Sequence, residues 1–250
     1  MDSASDYTAM EEGAELANYL PLSFKTPKEQ EYIAFLWDAF ETNYTRGKYQ
    51  FAFLAYHMLT MSFVCFNIWQ IKQTEPKDFA MCLIGFGKDI EKSLLDASSP
   101  FVFSTVNERS ILRFLKLIAC DNSKIGSYPK LVDDRNESAH PNGNIFFSTQ
   151  AALDIKIAEI LRVVDEKQTH SEPIIQSCYS KFLADNHDPE IREYPDDENQ
   201  IREVLIHENY LSQKDIEICA AYDLSPHMTQ NNFSEIYSLH QSLQQRYLVE

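Results

Sequence analysis

The sequence predicts an all-α fold. Apolar residues recur at three- and four-residue spacing through most of the chain, and the alternation expected of half-buried strands is almost missing. Only 6 of the 250 residues are glycine, too few for a turn-rich β architecture and a poor basis for a glycine-rich phosphate loop. Helix punctuation is explicit at Thr26-Pro27-Lys28-Glu29. There Thr26 is an N-cap, Pro27 takes the first helical position and Glu29 closes a capping box.

The elements follow in order. Residues 1–25 form an N-terminal extension with a weak, peripheral helix near 11–20. The helix after Thr26 carries Tyr32, Phe35, Leu36 and Phe40 on one face. Segment 49–71 has no Asp, Glu, Lys or Arg, and its ~23 residues are long enough to cross a membrane. Gln50, His57, Asn67 and Gln70 lower its hydropathy, so a central helix buried on all sides is expected, and no membrane attachment. His57 and Asn67 then either face a cleft or are satisfied buried groups. Pro76 opens a further helical region, 90–95 is a short amphipathic piece, and Ser99-Pro100 breaks the chain. Asn107 caps a helix running through Ile118; 121–127 reads as a polar loop, and 128–140 as a helix. Ser148 or Thr149 starts a long helix, and Ser171-Glu172-Pro173 starts another that reaches Ala184. Residues 26–186 thus form one helical bundle. Residues 187–199 are an acidic, proline-containing linker, and 200–250 a small unit with helices near 201–207, 213–222 and 233–247. Alone that unit would bury little apolar surface, so it is expected to pack on the bundle.

Composition narrows the function classes. No P-loop, dinucleotide fingerprint or nucleophile elbow is present. Cys65, Cys82, Cys120, Cys178 and Cys219 are odd in number and widely spaced, with no CxxC pair, and all but Cys178 sit in apolar surroundings that read as buried thiols in a reducing cytoplasm. The opening Met1-Asp2-Ser3-Ala4-Ser5-Asp6 lacks the basic and apolar regions of a signal peptide. His207, Glu208, Asp215 and Glu217 lie on separate predicted helices, a poor spacing for a metal site. His187 and His227 fall in loops and are expected to be solvated. The net charge of −16 opposes broad nucleic-acid binding. It is uneven, however: 1–150 holds 19 acids and 14 bases, and 151–250 holds 19 acids and 8 bases.

One hexapeptide carries chemistry: Arg135-Asn136-Glu137-Ser138-Ala139-His140, followed by Pro141-Asn142-Gly143. In a helix, Val132, Arg135, Asn136, Ala139 and His140 make one stripe, and three of its five positions are polar. An inward face built this way needs partners, because each unpaired buried polar group costs about 1–3 kcal/mol; a cleft or subunit interface supplies them. An arginine holds phosphate through a rigid fork of donors, and a histidine moves protons near neutral pH. His140 sits at the C-terminal pole, where the helix dipole favours its protonated form by about 0.3–1 kcal/mol. The same spacing also suits a structural pair, an arginine bound to an acid and a histidine capping carbonyls.

This hexapeptide resembles the Arg-(polar)-x-x-x-His motif of HEPN-domain proteins, a superfamily of helical bundles with many metal-independent endoribonucleases among toxins, abortive-infection proteins and CRISPR effectors. The resemblance implies a HEPN-like bundle, here with a C-terminal helical extension. It implies a homodimer with a composite active site, no cofactor and no metal; the cytoplasmic location is expected from the thiols and the acidic opening residues. Arg135 would neutralise the scissile phosphate, His140 would move the proton as the ribose 2′-hydroxyl attacks, and Asn136 would orient one of them. Products would carry a 2′,3′-cyclic phosphate and a 5′-hydroxyl. A role as a toxin or antiviral effector, with RNA as substrate and an antitoxin or sensor as partner, is implied in the same way. Two rivals stand beside it. One is a catalytically silent module that docks a partner through its acidic C-terminal half; the other is a nuclease whose acidic tail covers the site.

Overall fold

The computed structural model describes residues 12–118, 122–141 and 143–248, with 122–129 described by backbone alone. Met1 to Asp6, Cys120 and Asn142 lie outside the described residues. Every regular element among the described residues is helical, and the two isolated bridges, Pro21 with Ser212 and Ile84 with Phe86, extend into no strand.

Helix α1 spans Pro27–Thr45, and its capping box forms as the sequence predicts: Glu29 N–H donates to Thr26 Oγ1, and Thr26 N–H to Glu29 Oε2. Helix α2, Tyr49–Thr74, is the central rod. Only Phe51, Met58 and Gln73 on it are exposed, because α1 and the long helix described below cover most of its surface. It is also the one helix among the described residues long and apolar enough to cross a membrane, and most of it lies inside the protein. Short helices α3 (Pro76–Cys82) and α4 (Lys88–Leu95) follow. Asn107 then caps the turn Glu108–Ile111, accepting from Ser110 N–H at 2.9 Å, and the chain continues as a 3-10 stretch, Leu112–Ile118.

Helix α5 spans Asn122–Ala139. It therefore takes in most of the segment that reads as a polar loop in the sequence. Helix α6 spans Gln150–Asn186, with Thr149 as N-cap. It runs without a break through Pro173, where a new helix was expected. The proline removes one backbone donor, yet packing on both sides holds the axis: Val163 and Val164 sit in one core, Ile175 and Tyr179 in another.

The cores divide within α6. The larger runs from Leu16 to Ile174 and takes in Tyr210; the smaller holds Ile175–Leu183 of α6 with apolar residues of 201–243. The smaller one is built on a π-helical turn Gln200–His207, helix α7 (Gln213–Ala220) and helix α8 (Phe233–Tyr247). Segment 187–196, which the sequence reads as a linker, wraps around Arg192. That guanidinium is almost fully buried, donating to Tyr194 O at 2.7 Å, to Pro195 O, and to Asp197 Oδ1 at 2.6 Å. The N-terminal segment is not peripheral. Leu16 and Leu20 are buried, and Gly13 O accepts from Tyr56 Oη at 3.2 Å.

Polar struts join the two cores. Asp215, fully buried at the start of α7, accepts from Gln168 Nε2 at 2.6 Å, Gln70 Nε2 at 3.0 Å and both the backbone N–H and hydroxyl of Ser212 at 2.9 Å. Asn67 joins the same layer by accepting from Ser171 Oγ at 3.2 Å. Tyr210 donates to Glu29 at 3.0 Å from a backbone with φ of 51°, a left-handed conformation costing a non-glycine residue about 1–2 kcal/mol. Its ring packs on Phe66 and Trp69, which holds it there.

Candidate active site around Arg135 and His140

Helix α5 is fixed before it presents any chemistry. Leu131 and Val132 bury one face. Lys156, buried on α6, forms ion pairs with Asp134 and, at 2.8 Å, with Glu159. At its end, Gln50 of α2 donates to Ser138 O at 2.8 Å and accepts from Phe146 N–H at 3.0 Å. This side-chain clamp holds the helix terminus and the returning segment together. Beyond the helix end, Gly143 takes a φ of 81°, a left-handed value that glycine adopts freely.

On this frame Arg135 is half-buried, with 31% of its side chain exposed, and its Nη2 lies 2.7 Å from Glu108 Oε1. The other oxygen, Glu108 Oε2, is 3.2 Å from Nε2 of His57, whose side chain is 2% exposed. An ionised carboxylate only accepts, so Nε2 of His57 carries the proton in this contact. Its Nδ1 is buried without a hydrogen-bond partner among the described residues. Burial alone would push the Glu108 carboxyl up, but hydrogen bonds from His57 and Arg135 outweigh it and bring the group below its ordinary range.

His140 and Ala139 are exposed and Asn136 is half-buried, so the expected five-residue stripe is buried only at its start. The buried edge of α5 passes instead through Leu131, Val132 and Ser138. The helix stops at Ala139, and His140 N–H closes the last turn onto Asn136 O at 3.1 Å. Arg135 and His140 thus share one helix end, with a carboxylate behind the first and solvent around the second. Exposed Phe51, Ile145 and Phe146 surround the Gln50 clamp.

Glu108 has no local mark in the sequence beyond following an N-cap, and lies 27 residues from Arg135. His57 stands out as a polar residue in an apolar helix; Asn67, noted beside it, belongs to the Asp215 layer.

The remaining candidates have ordinary roles. His207 meets Ser23 Oγ at 3.2 Å, and Asp215 is enclosed in its network. No group of three or more metal-ligating side chains occurs among the described residues. His227 is buried rather than solvated, between Ser180 and Gln230, because α6 and the 225–227 turn close over it. His187, half-buried, contacts Ala184 O and Asn232. Burial pushes the Cys65 thiol up to about 12 and that of Cys178 to about 11, which leaves both unreactive at neutral pH.

The fold and site together define an all-α protein with an arginine and a histidine at one solvent-facing helix end. Compared with protein-family models, curated proteins and solved structures, the chain matches none.

Proposed function

We propose that the chain is a metal-independent endoribonuclease that acts as a homodimer. Arg135 neutralises the scissile phosphate and His140 takes the 2′-hydroxyl proton as that oxygen attacks phosphorus. The bond to the 5′-oxygen breaks, and this oxygen leaves as a hydroxyl on taking a proton from imidazolium. Asn136, on the turn between them, orients phosphate or ring. The observation that carries the reading is the shared helix end: a part-exposed arginine anchored from behind and an exposed histidine on the next turn. Two such ends facing each other concentrate positive charge in a protein of net charge −16, and exposed Phe51, Ile145 and Phe146 offer apolar surface for a second copy. A role as a toxin or defence effector rests on the HEPN resemblance alone.

One observation favours a silent binding module instead: Arg135 pairs with Glu108, as a structural arginine does. Cleavage decides between them. Purified protein with a mixed pool of cellular RNAs in chelator is expected to release fragments with 2′,3′-cyclic phosphate ends, and Arg135→Ala and His140→Ala are each expected to release none. Equal fragmentation by wild type and both variants would trace the activity to a contaminant, and no fragmentation by wild type would favour the binding module.

A further inference from the structure

We propose that Glu108 is the positioning residue of this site. Its carboxylate bridges the core and the reactive helix end: one oxygen meets the buried imidazole of His57 at 3.2 Å, the other meets Arg135 Nη2 at 2.7 Å. The proposal rests on the endoribonuclease reading, since positioning has meaning only toward a phosphate.

The geometry fits this role better than that of a surface ion pair. An exposed carboxylate would move with its arginine and fix nothing. Glu108 cannot, because its backbone is pinned by the Asn107 cap and its other oxygen is held by a side chain of the central rod. The guanidinium is a rigid plane, so fixing one nitrogen orients the remaining donors. Glu108 therefore aims the solvent-facing edge of Arg135, while its negative charge lowers the affinity of the site for any anion. The two effects oppose each other in binding, and only the first fixes the orientation of the fork. Removing the carboxylate is expected to leave substrate binding equal or tighter and to slow the chemical step.

Three single variants test this. Glu108→Gln removes the charge, Glu108→Asp shortens the reach while keeping the charge, and Asp133→Asn removes a charge two residues from Arg135 on the same helix without touching the bridge; Asp133 pairs with Arg109. The first readout needs no RNA cleavage. The Nε–H signal of Arg135, assigned by its loss in Arg135→Lys, is expected to be sharp and to shift with inorganic phosphate in wild type and Asp133→Asn. It is expected to broaden in Glu108→Gln. The second readout is kinetic. Glu108→Gln is expected to lose about a hundredfold in kcat, the scale of a misaimed catalytic group, with KM unchanged or lower, and Glu108→Asp to recover part of the loss. An Arg135 signal as sharp in Glu108→Gln as in wild type, or a loss confined to KM, would overturn the proposal. If wild type cleaves no RNA the nuclease reading falls, and the Arg135 signal still decides whether Glu108 directs the guanidinium: a line as sharp in Glu108→Gln as in wild type, with and without phosphate, would refute it.

Discussion

Arg135 and His140 share a helix end but not an environment, and substitution separates them. The ring of His140 is exposed, so His140→Ala is expected to change stability by no more than about 0.5 kcal/mol. Arg135→Ala removes a half-buried ion pair and leaves Glu108 facing a buried imidazole, at a cost of about 1 kcal/mol. That cost depends on pH in a known direction. The folded-state value of Glu108 lies below its ordinary 4.5, so the folded protein binds the proton less readily than the unfolded chain. The stabilisation is complete above about 4.5 and is lost as pH falls through the folded value. Urea unfolding at pH 7 and again near pH 3 should show the gap between wild type and Arg135→Ala closing in acid; a constant gap would mean that the Glu108 pair contributes nothing. The arginine and histidine were legible at this scale because hexapeptide spacing is local information. The bridge behind them was not, since Glu108, His57 and Arg135 come from three separate elements and meet only through packing. Nor was the exposure of His140, which follows from the helix ending at Ala139 and from a buried edge defined by Leu131, Val132 and Ser138.

Helix α6 shows where local signals and tertiary packing part company. Pro173 reads as a helix start, and the structure carries the helix straight through it. A proline within a helix costs about 3 kcal/mol relative to alanine in an isolated setting, and Pro173 has no N–H to offer the carbonyl of Thr169. The helix survives because each half is fixed in a different core, so breaking at Pro173 would expose apolar surface on both sides. Pro173 itself is exposed. Pro173→Ala is accordingly expected to stabilise the protein by about 1–2 kcal/mol, after allowing for the greater freedom alanine gives the unfolded chain. A higher urea midpoint with an unchanged slope would show this; a lower midpoint would mean that the stiffness proline gives the chain outweighs the hydrogen bond it forgoes. Elsewhere the elements with explicit caps appear where the sequence puts them: Thr26, Asn107 and Thr149 each accept a backbone N–H at their helix start. The early start of α5 at Asn122 was not legible, since Asp121, Asn122 and Ser123 suit a loop as well as a helix start, and Gly126 and Ser127 have low helix propensity.

At the scale of the whole molecule the two cores are joined by the unbroken α6, by the packed ring of Tyr210 and by buried polar groups, and the polar links are the brittle ones. Apolar contacts lose energy gradually as surfaces part, whereas a buried donor without its acceptor loses its full desolvation cost at once. Asp215 satisfies donors from three directions: Gln70 on the central rod, Gln168 on the first half of α6, and Ser212 at the start of α7. Burial pushes its carboxyl up, and those hydrogen bonds offset part of the shift. The folded protein therefore takes up this proton more readily than the unfolded chain, and the contribution of Asp215 to stability falls as pH rises through the folded value. Asp215→Ala orphans donors on both sides and is expected to destabilise by about 3 kcal/mol. The hydrogen bond from Tyr210 to Glu29 then remains as a second strut, holding the segment that leads into α7 against α1 in the larger core. Asp215→Ala combined with Tyr210→Phe removes both struts, and the smaller core, with its own apolar cluster along the last third of α6, should then melt as a separate unit. Calorimetry is expected to give one transition for wild type and two for the double variant, the lower one belonging to 175–248. A single, merely earlier transition would show that the continuous α6 transmits cooperativity by itself, and that the polar struts set how stable the molecule is without deciding whether its cores unfold together.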